Sequence, residues 1–216
     1  LHDALPIYPN IINFEAVFGM EEMKWSSIQK DMMEYDVTMP YIRMMAGPVD
    51  YTPGAMRNAS KKDFKDIYYN PMSQGTRCHQ LAAYVVHDSP LTMLADNPTI
   101  YKREQECTDF IISIPNKGIE ETRVLQGKVG ESIIMARRAG TSWYIGGMTD
   151  WTAREITLDF DFLDNGNYEV ILFKDGINAD KQAEDYKQEQ FTITPASKKK
   201  IRMASGGGFA MTITKK

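Results

Sequence analysis

Cysteine, long apolar runs and excess positive charge are all scarce in this sequence, and each shortage closes a class of function. The 216 residues contain two cysteines, Cys78 and Cys107, with neither a CxxC spacing nor a histidine cluster beside them. A disulfide framework and a structural zinc site are therefore unsupported, and both side chains are expected as buried free thiols. No stretch of about 18 apolar residues occurs, which removes a membrane-spanning helix, and the start has no signal-peptide architecture. The opening LHDALPI, Leu1 to Ile7, fits neither a strand pattern nor the residues after it and is set aside as a scar, with the true N-terminus expected further upstream. A net charge of −4 and a pI near 5.5 leave no basic footprint for a polyanion. Lys198-Lys199-Lys200 is expected as a solvated turn, and nucleic acid is not expected as a partner. There is no repeat of fixed period and no low-complexity linker.

What is present is an ordinary globular composition, 43% hydrophobic and 25% charged, enough for one large domain or two small ones. The hydrophobic period changes along the chain. From Asn10 to about Pro115, short apolar runs alternate with helical patterns, as in βα units. Ile11 to Glu15 reads as a buried strand, Met39 to Met45 as a second ended by Ala46-Gly47-Pro48, and Leu91 to Leu94 as a third before Ala95-Asp96-Asn97-Pro98. Helices are expected over Gly75 to His87 and Lys102 to Ile112. Three strands with crossover helices make part of a parallel barrel rather than a whole one.

From about Gly118 the period becomes two. Ile156, Leu158, Phe160 and Phe162 share one face, Glu155, Thr157, Asp159 and Asp161 the other, and the alternation recurs at Phe191 to Thr194 and Phe209 to Ile213. Turn signals at Gly140, Asn165-Gly166-Asn167, Asp175-Gly176 and Gly206 to Gly208 divide this half into seven or eight short antiparallel strands, a β-sandwich. Its strands are expected to bury one another's apolar faces without help from the first half. The fold class is thus α/β plus all-β, with 1–7 as the scar, 8–116 as the C-terminal portion of a (β/α)8 barrel and 117–216 as an antiparallel sandwich.

Barrel chemistry lies at the C-terminal ends of the strands. Glu15 ends the strand IINFE, and Glu21 and Glu22 come after it across a short loop. Carboxylates so close can share a hard cation, or one can be driven toward general-acid duty by its neighbour's charge. From pattern alone, Glu21-Glu22 at a helix start is better explained by the helix dipole. Asp50, in GPVDYTPG, is equally a sugar-hydroxyl partner and a turn aspartate. Arg43, inside the second strand, is expected in a structural ion pair, and Asp96 is expected as a helix N-cap. His79 and His87 fall within a helix away from the strand ends. Trp25, Trp143 and Trp151 could stack on sugar rings, although the last two are better placed in a core or interface.

The runs YPNIINFEAVFGMEEMKWSS (Tyr8 to Ser27), DVTMPYIRMMAGPVDYTPGAMRN (Asp36 to Asn58) and NPMSQGTRCHQLAAYVV (Asn70 to Val86) resemble the late barrel of glycoside hydrolase family 97, and FKDGINAD (Phe173 to Asp180) and GGGFAM (Gly206 to Met211) resemble that family's C-terminal sandwich. The resemblance covers nearly all of the chain after Ile7. It implies α-glycoside hydrolysis, with a calcium-dependent α-glucosidase as the first expectation and a retaining α-galactosidase as the alternative. A non-catalytic carbohydrate-binding or assembly module is the competing class. In the α-glucosidase branch the motif E-x-x-x-G-x-E supplies a calcium-ligating Glu and the general acid, and here it is met by Glu15, Gly19 and Glu21. The resemblance further implies Ca2+ as cofactor, a carbohydrate substrate, homo-oligomer contacts through the sandwich, and a periplasmic or secreted location. It places the catalytic base, or the retaining branch's Asp nucleophile, upstream of the first residue.

Overall fold

The computed structural model describes residues 12–20, 22 and 31–216. Helix α1, Met32–Ile42, runs into a 3-10 turn, Arg43–Ala46. Short strands β1, Asn58–Ala59, and β2, Ser73–Gln74, pair in parallel. Helices α2, Arg77–Val86, α3, Pro98–Arg103, and α4, Gln105–Ser113, come next. The remainder is antiparallel: β3 Glu121–Lys128, β4 Ser132–Ala139, β5 Ser142–Thr149, β6 Arg154–Asp159, β7 Tyr168–Asp175, β8 Tyr186–Ile193, β9 Lys198–Met203 and β10 Gly208–Lys215. Six of these form one sheet in the order β3-β4-β5-β10-β7-β8, and β6 pairs with β9 in a second.

The two sheets enclose a core in which alternate residues of the large sheet, Ile134 and Ala136, Trp143 and Ile145, Val170 and Leu172, Phe209, Met211 and Ile213, meet Leu158, Ile201 and Met203. A fully buried Leu, Ile, Phe or Met contributes roughly 1.5–3 kcal/mol relative to its exposed state, so this layer dominates the sandwich's stability. The intervening residues of the same strands point to the opposite face. Ile133, Met135 and Met148 pack on Ala82, Ala83 and Val86 of α2, and Phe173 and Ala210 share a cluster with Leu81, Val85 and Phe110. Both faces of the central strands of the large sheet are therefore buried, which is why β4 is inaccessible at five successive positions instead of alternating. Glycine lets α2 come this close. A Cβ at Gly146 would stand 2.6 Å from the Ala82 carbonyl oxygen, and one at Gly208 would stand 3.0 Å from the His79 Cα.

The described residues form no barrel sheet. Parallel pairing among them is confined to β1 with β2 and to a single bridge between Phe14 and Val49. Met39 to Met45, expected as a strand, is the end of α1 and its 3-10 continuation. The helix starts well upstream, where the Asp31 carboxylate accepts the Glu34 amide at 3.1 Å, and a short apolar run carries no period that would distinguish its last turn from a strand. The strand-like segment comes later, around Val49, whose amide donates to the Asp88 carbonyl at 2.9 Å. Leu91 to Leu94 is irregular, with Leu91, Met93 and Leu94 each about half exposed. The expected helix from Lys102 to Ile112 is interrupted at Glu104, whose φ of −99° and ψ of 51° are not helical. Lys198 to Lys200 is not a turn but the start of β9, with partners in Asp159, Glu189 and Glu155 respectively. Both cysteines are buried free thiols. No helix among the described residues is long and apolar enough to cross a membrane.

Candidate active site

Two extended segments lie side by side where the sequence places its carboxylates. Phe14 and Val49 form the parallel bridge, and the Asp50 amide donates to the Phe14 carbonyl at 3.0 Å. The next residues in register are Glu15, which is exposed, and Asp50, which is half-buried. Glu21 and Trp25 lie outside the described residues, as does the segment 1–11. Glu15 and Asp50 are thus the two carboxylates that the described structure brings together, from positions 35 residues apart in the chain.

Arg43 is the residue that joins these segments. It has no carboxylate partner among the described residues, contrary to the expected ion pair. Its Nη2 donates to the Phe14 carbonyl at 2.6 Å and the Pro48 carbonyl at 3.3 Å, Nε to the Glu15 carbonyl at 3.2 Å, and Nη1 to the Gly47 carbonyl at 3.2 Å. The reason is positional: as part of a 3-10 turn rather than a strand, Arg43 faces the ends of two backbone segments. Asp96 likewise departs from expectation. Asn97, not Asp96, caps α3, accepting the Thr99 and Ile100 amides, while the Asp96 carboxylate accepts the Met56 amide at 3.0 Å and that of Asn97 itself.

Behind Asp50 lies a buried polar network. The Tyr51 hydroxyl donates to Asp36 Oδ1 at 2.6 Å, His79 Nε2 meets Asp36 Oδ2 at 3.1 Å, and His79 Nδ1 reaches the Gly207 carbonyl at 3.3 Å. Asp36 and His79 are both fully buried. Pro40 explains one further contact. Lacking an amide hydrogen, it leaves the Asp36 carbonyl unused by the helix, and His87 Nε2 occupies it at 3.1 Å. Burial holds the His87 pKa below its ordinary value. A second network joins helix to sandwich at Asp175. One oxygen accepts the Thr76 hydroxyl at 2.6 Å and the other accepts the Ala204 and Gly208 amides at 2.8 and 2.9 Å. Burial raises the Asp175 pKa to about 6 in spite of those three donors. Asp36 did not stand out in the sequence, Asp175 was read only as part of a turn signal with Gly176, and the bearing of Pro40 on the Asp36 carbonyl was hidden because its run was read as a strand.

Calcium takes six to eight oxygen ligands. Carboxylates suit it, but the described residues offer two at this place, and no group of three or more His, Cys, Asp or Glu among them is arranged to hold a metal. The remaining ligands of such a site have to come from Glu21 or from elsewhere in the whole protein. A cleft of about 700 Å³ opens on the sandwich between Lys174, Gly176, Ile177, Asp185, Tyr186 and Arg202. Its charged groups are already engaged: Lys174 with Glu189, Arg202 with Asp180, and Asp185 with the Asn178 amide. It does not include Glu15 or Asp50. Trp143 lies in the sandwich core, and Trp151 packs against the Met32 and Met33 cluster, so neither is offered to a sugar.

An antiparallel sandwich-like domain thus follows a segment whose few pairings are parallel. Residues 118–214 match the family model described as glycosyl-hydrolase 97 C-terminal, oligomerisation. The chain is 54% identical over 206 residues, 95% of its length, to a retaining α-galactosidase of Bacteroides thetaiotaomicron. It is 26% identical over 169 residues, 78% of its length, to a probable retaining α-galactosidase of Streptomyces bingchenggensis. A solved family 97 enzyme from Pseudoalteromonas, in complex with acarbose, superposes with a TM-score of 0.84 over 97% of this chain at 32% identity. The chain belongs to glycoside hydrolase family 97. It spans 31% and 24% of the length of the two curated relatives and 32% of the solved chain.

Proposed function

We propose that the chain is the late-barrel and sandwich portion, with the boundary near residue 117, of a retaining α-galactosidase. The observation that carries this is the 54% identity, sustained over 206 residues, to a protein of that activity. The galactosidase alternative is preferred to the α-glucosidase, the first expectation from the sequence, because both curated relatives named above carry that activity in their descriptions. The carbohydrate ligand in the matched family 97 structure supports a sugar substrate over an assembly module without one.

In this reading Glu21 is the general acid. It protonates the leaving glycosidic oxygen while an Asp outside this chain attacks the anomeric carbon, and it then deprotonates the water that releases the sugar with net retention. Glu15 is a calcium ligand, Asp50 hydrogen-bonds a sugar hydroxyl, and calcium supplies a fixed positive charge that orients carboxylates and hydroxyls. The description of the matched C-terminal domain supports self-association through the sandwich. A periplasmic or secreted location belongs to this reading through the family resemblance.

The test is hydrolysis by the intact enzyme of aryl α-galactosides and aryl α-glucosides, with NMR of the first-formed anomer. Preference for galactosides and initial release of α-galactose are expected; glucoside preference or a β-anomer would overturn the reading. Glu21→Gln should lose on the order of 100-fold or more on alkyl galactosides and much less on substrates with acidic aryl leaving groups, which depart without protonation. Equal losses would assign Glu21 a positional role instead. Glu15→Gln should raise the calcium concentration needed for half-maximal activity, and unchanged calcium affinity would return Glu15 to a structural role.

A further inference from the structure

We propose that Arg43 is a positioning residue of this active site, a guanidinium clamp that fixes the register of the two segments carrying Glu15 and Asp50. The proposal rests on the reading that Glu15 belongs to the site. Sheet pairing between the two segments amounts to one bridge, Phe14 to Val49. A single bridge leaves register weakly specified, because register in sheets is held by a ladder of successive pairs and a slip of one residue turns every side chain to the other face. The backbone conformations on either side add no order of their own. Ala16, directly after Glu15, has a left-handed φ of 45°, and Gly47, ahead of Pro48, has a φ of 118°. Both segments therefore end in turns that could relax if nothing held them.

Arg43 supplies what the missing ladder would. Its donors reach the Phe14 and Glu15 carbonyls on one segment and the Gly47 and Pro48 carbonyls on the other, with Nη2 shared between the two. A guanidinium presents five N–H groups in a rigid plane, so one side chain fixes both segments relative to each other, which a lysine ammonium on a flexible stem does less well. With no carboxylate competing for it among the described residues, Arg43 puts all four of its contacts into backbone. Arg43 itself touches no part of the two carboxylates; it acts through the backbone that carries them.

The experiment measures kcat and KM of the intact enzyme at 20 °C, on whichever aryl α-glycoside the wild type hydrolyses, for Arg43→Ala, Arg43→Lys, Glu15→Gln and Leu158→Ala. Leu158 is buried in the sandwich core and serves as a destabilised control remote from the site. A displacement of about 1 Å at a reacting group can cost on the order of 100-fold, so Arg43→Ala is expected to lower kcat by that order while KM changes less than about threefold. Arg43→Lys should recover part of the loss, and Leu158→Ala should keep wild-type kcat despite a lower Tm. A folded Arg43→Ala enzyme with wild-type kcat, or a loss no larger than that of Leu158→Ala, would overturn the clamp. Wild-type kcat in Glu15→Gln would remove Glu15 from the site and with it what the clamp positions, whereas an inactive Glu15→Gln beside an active Arg43→Ala would sink the clamp alone.

Discussion

Asp175 shows how one side chain can couple two halves of a chain and make that coupling depend on pH. Its carboxyl titrates near 6 in the folded protein against an ordinary 3.8. Between those values the unfolded chain ionises while the folded one keeps its proton, so stability falls as pH rises from about 4 to about 6 and changes no further above that. A difference of that size between folded and unfolded chains corresponds to about 2–3 kcal/mol. Asp175→Asn should remove this slope. Its amide oxygen can still accept the Ala204 and Gly208 amides, while its NH2 group turns to Thr76 Oγ1. Urea unfolding at pH 4.5 and 7.5 should therefore show a smaller difference for the variant than for the wild type, and equal differences would contradict the assignment. Asp175→Ala leaves two buried amides without acceptors and should cost about 2–4 kcal/mol at pH 4.5, and less at pH 7.5, where the wild type also carries the cost of an ionised buried carboxyl.

At the scale of elements, α2 lies directly on the large sheet, and Gly146 sets the spacing. Gly146→Ala would put a Cβ 2.6 Å from the Ala82 carbonyl oxygen and 2.9 Å from the Val85 Cβ, both on a helix pinned at its N-terminus through Thr76. The helix has to lift, and a loss of about 1–3 kcal/mol is expected in chemical denaturation; an unchanged midpoint would mean that the helix moves freely over the sheet. This layer is also where the sequence was least readable. The face that Leu158, Phe160, Phe209, Met211 and Ile213 present to the sandwich core alternates cleanly and was visible as period two, but the second buried face belongs to a helix whose partner no local pattern names. Met39 to Met45 and Leu91 to Leu94 failed as strands for a related reason. Four to seven apolar residues fit a helix end, an irregular half-exposed loop or a strand equally well, and the decision lay outside the run, in the Asp31 cap and in the contacts around Val49. The neighbouring placement of Glu15 and Asp50 was hidden in the same way, since it depends on a pairing across 35 residues. The resemblance to family 97 supplied Glu15 without its geometry.

For the whole molecule, the question is which part of the chain can fold alone. A sandwich whose strands bury only one another would be self-sufficient, and residues 118–216 would then unfold cooperatively by themselves. The structure makes that segment incomplete. The faces of Ile133, Met135, Met148, Phe173 and Ala210 turned away from the sandwich core are covered by α2 and α4, and Asp175 takes one of its three donors from Thr76. Removing the helices exposes a flat apolar sheet face, which favours association between copies. Residues 75–216 keep α2, α3 and α4, which cover most of that face, and lose only Val37, Tyr41 and Met56 from its clusters. We expect the 75–216 segment to be monodisperse or a defined oligomer with a single sharp melting transition, and the 118–216 segment to melt at lower temperature and to scatter light at micromolar concentration. Comparable Tm and particle size for the two segments would show that the helix layer contributes little, and the double burial of the large sheet would then have to be read as a packing contact rather than as part of the domain's core.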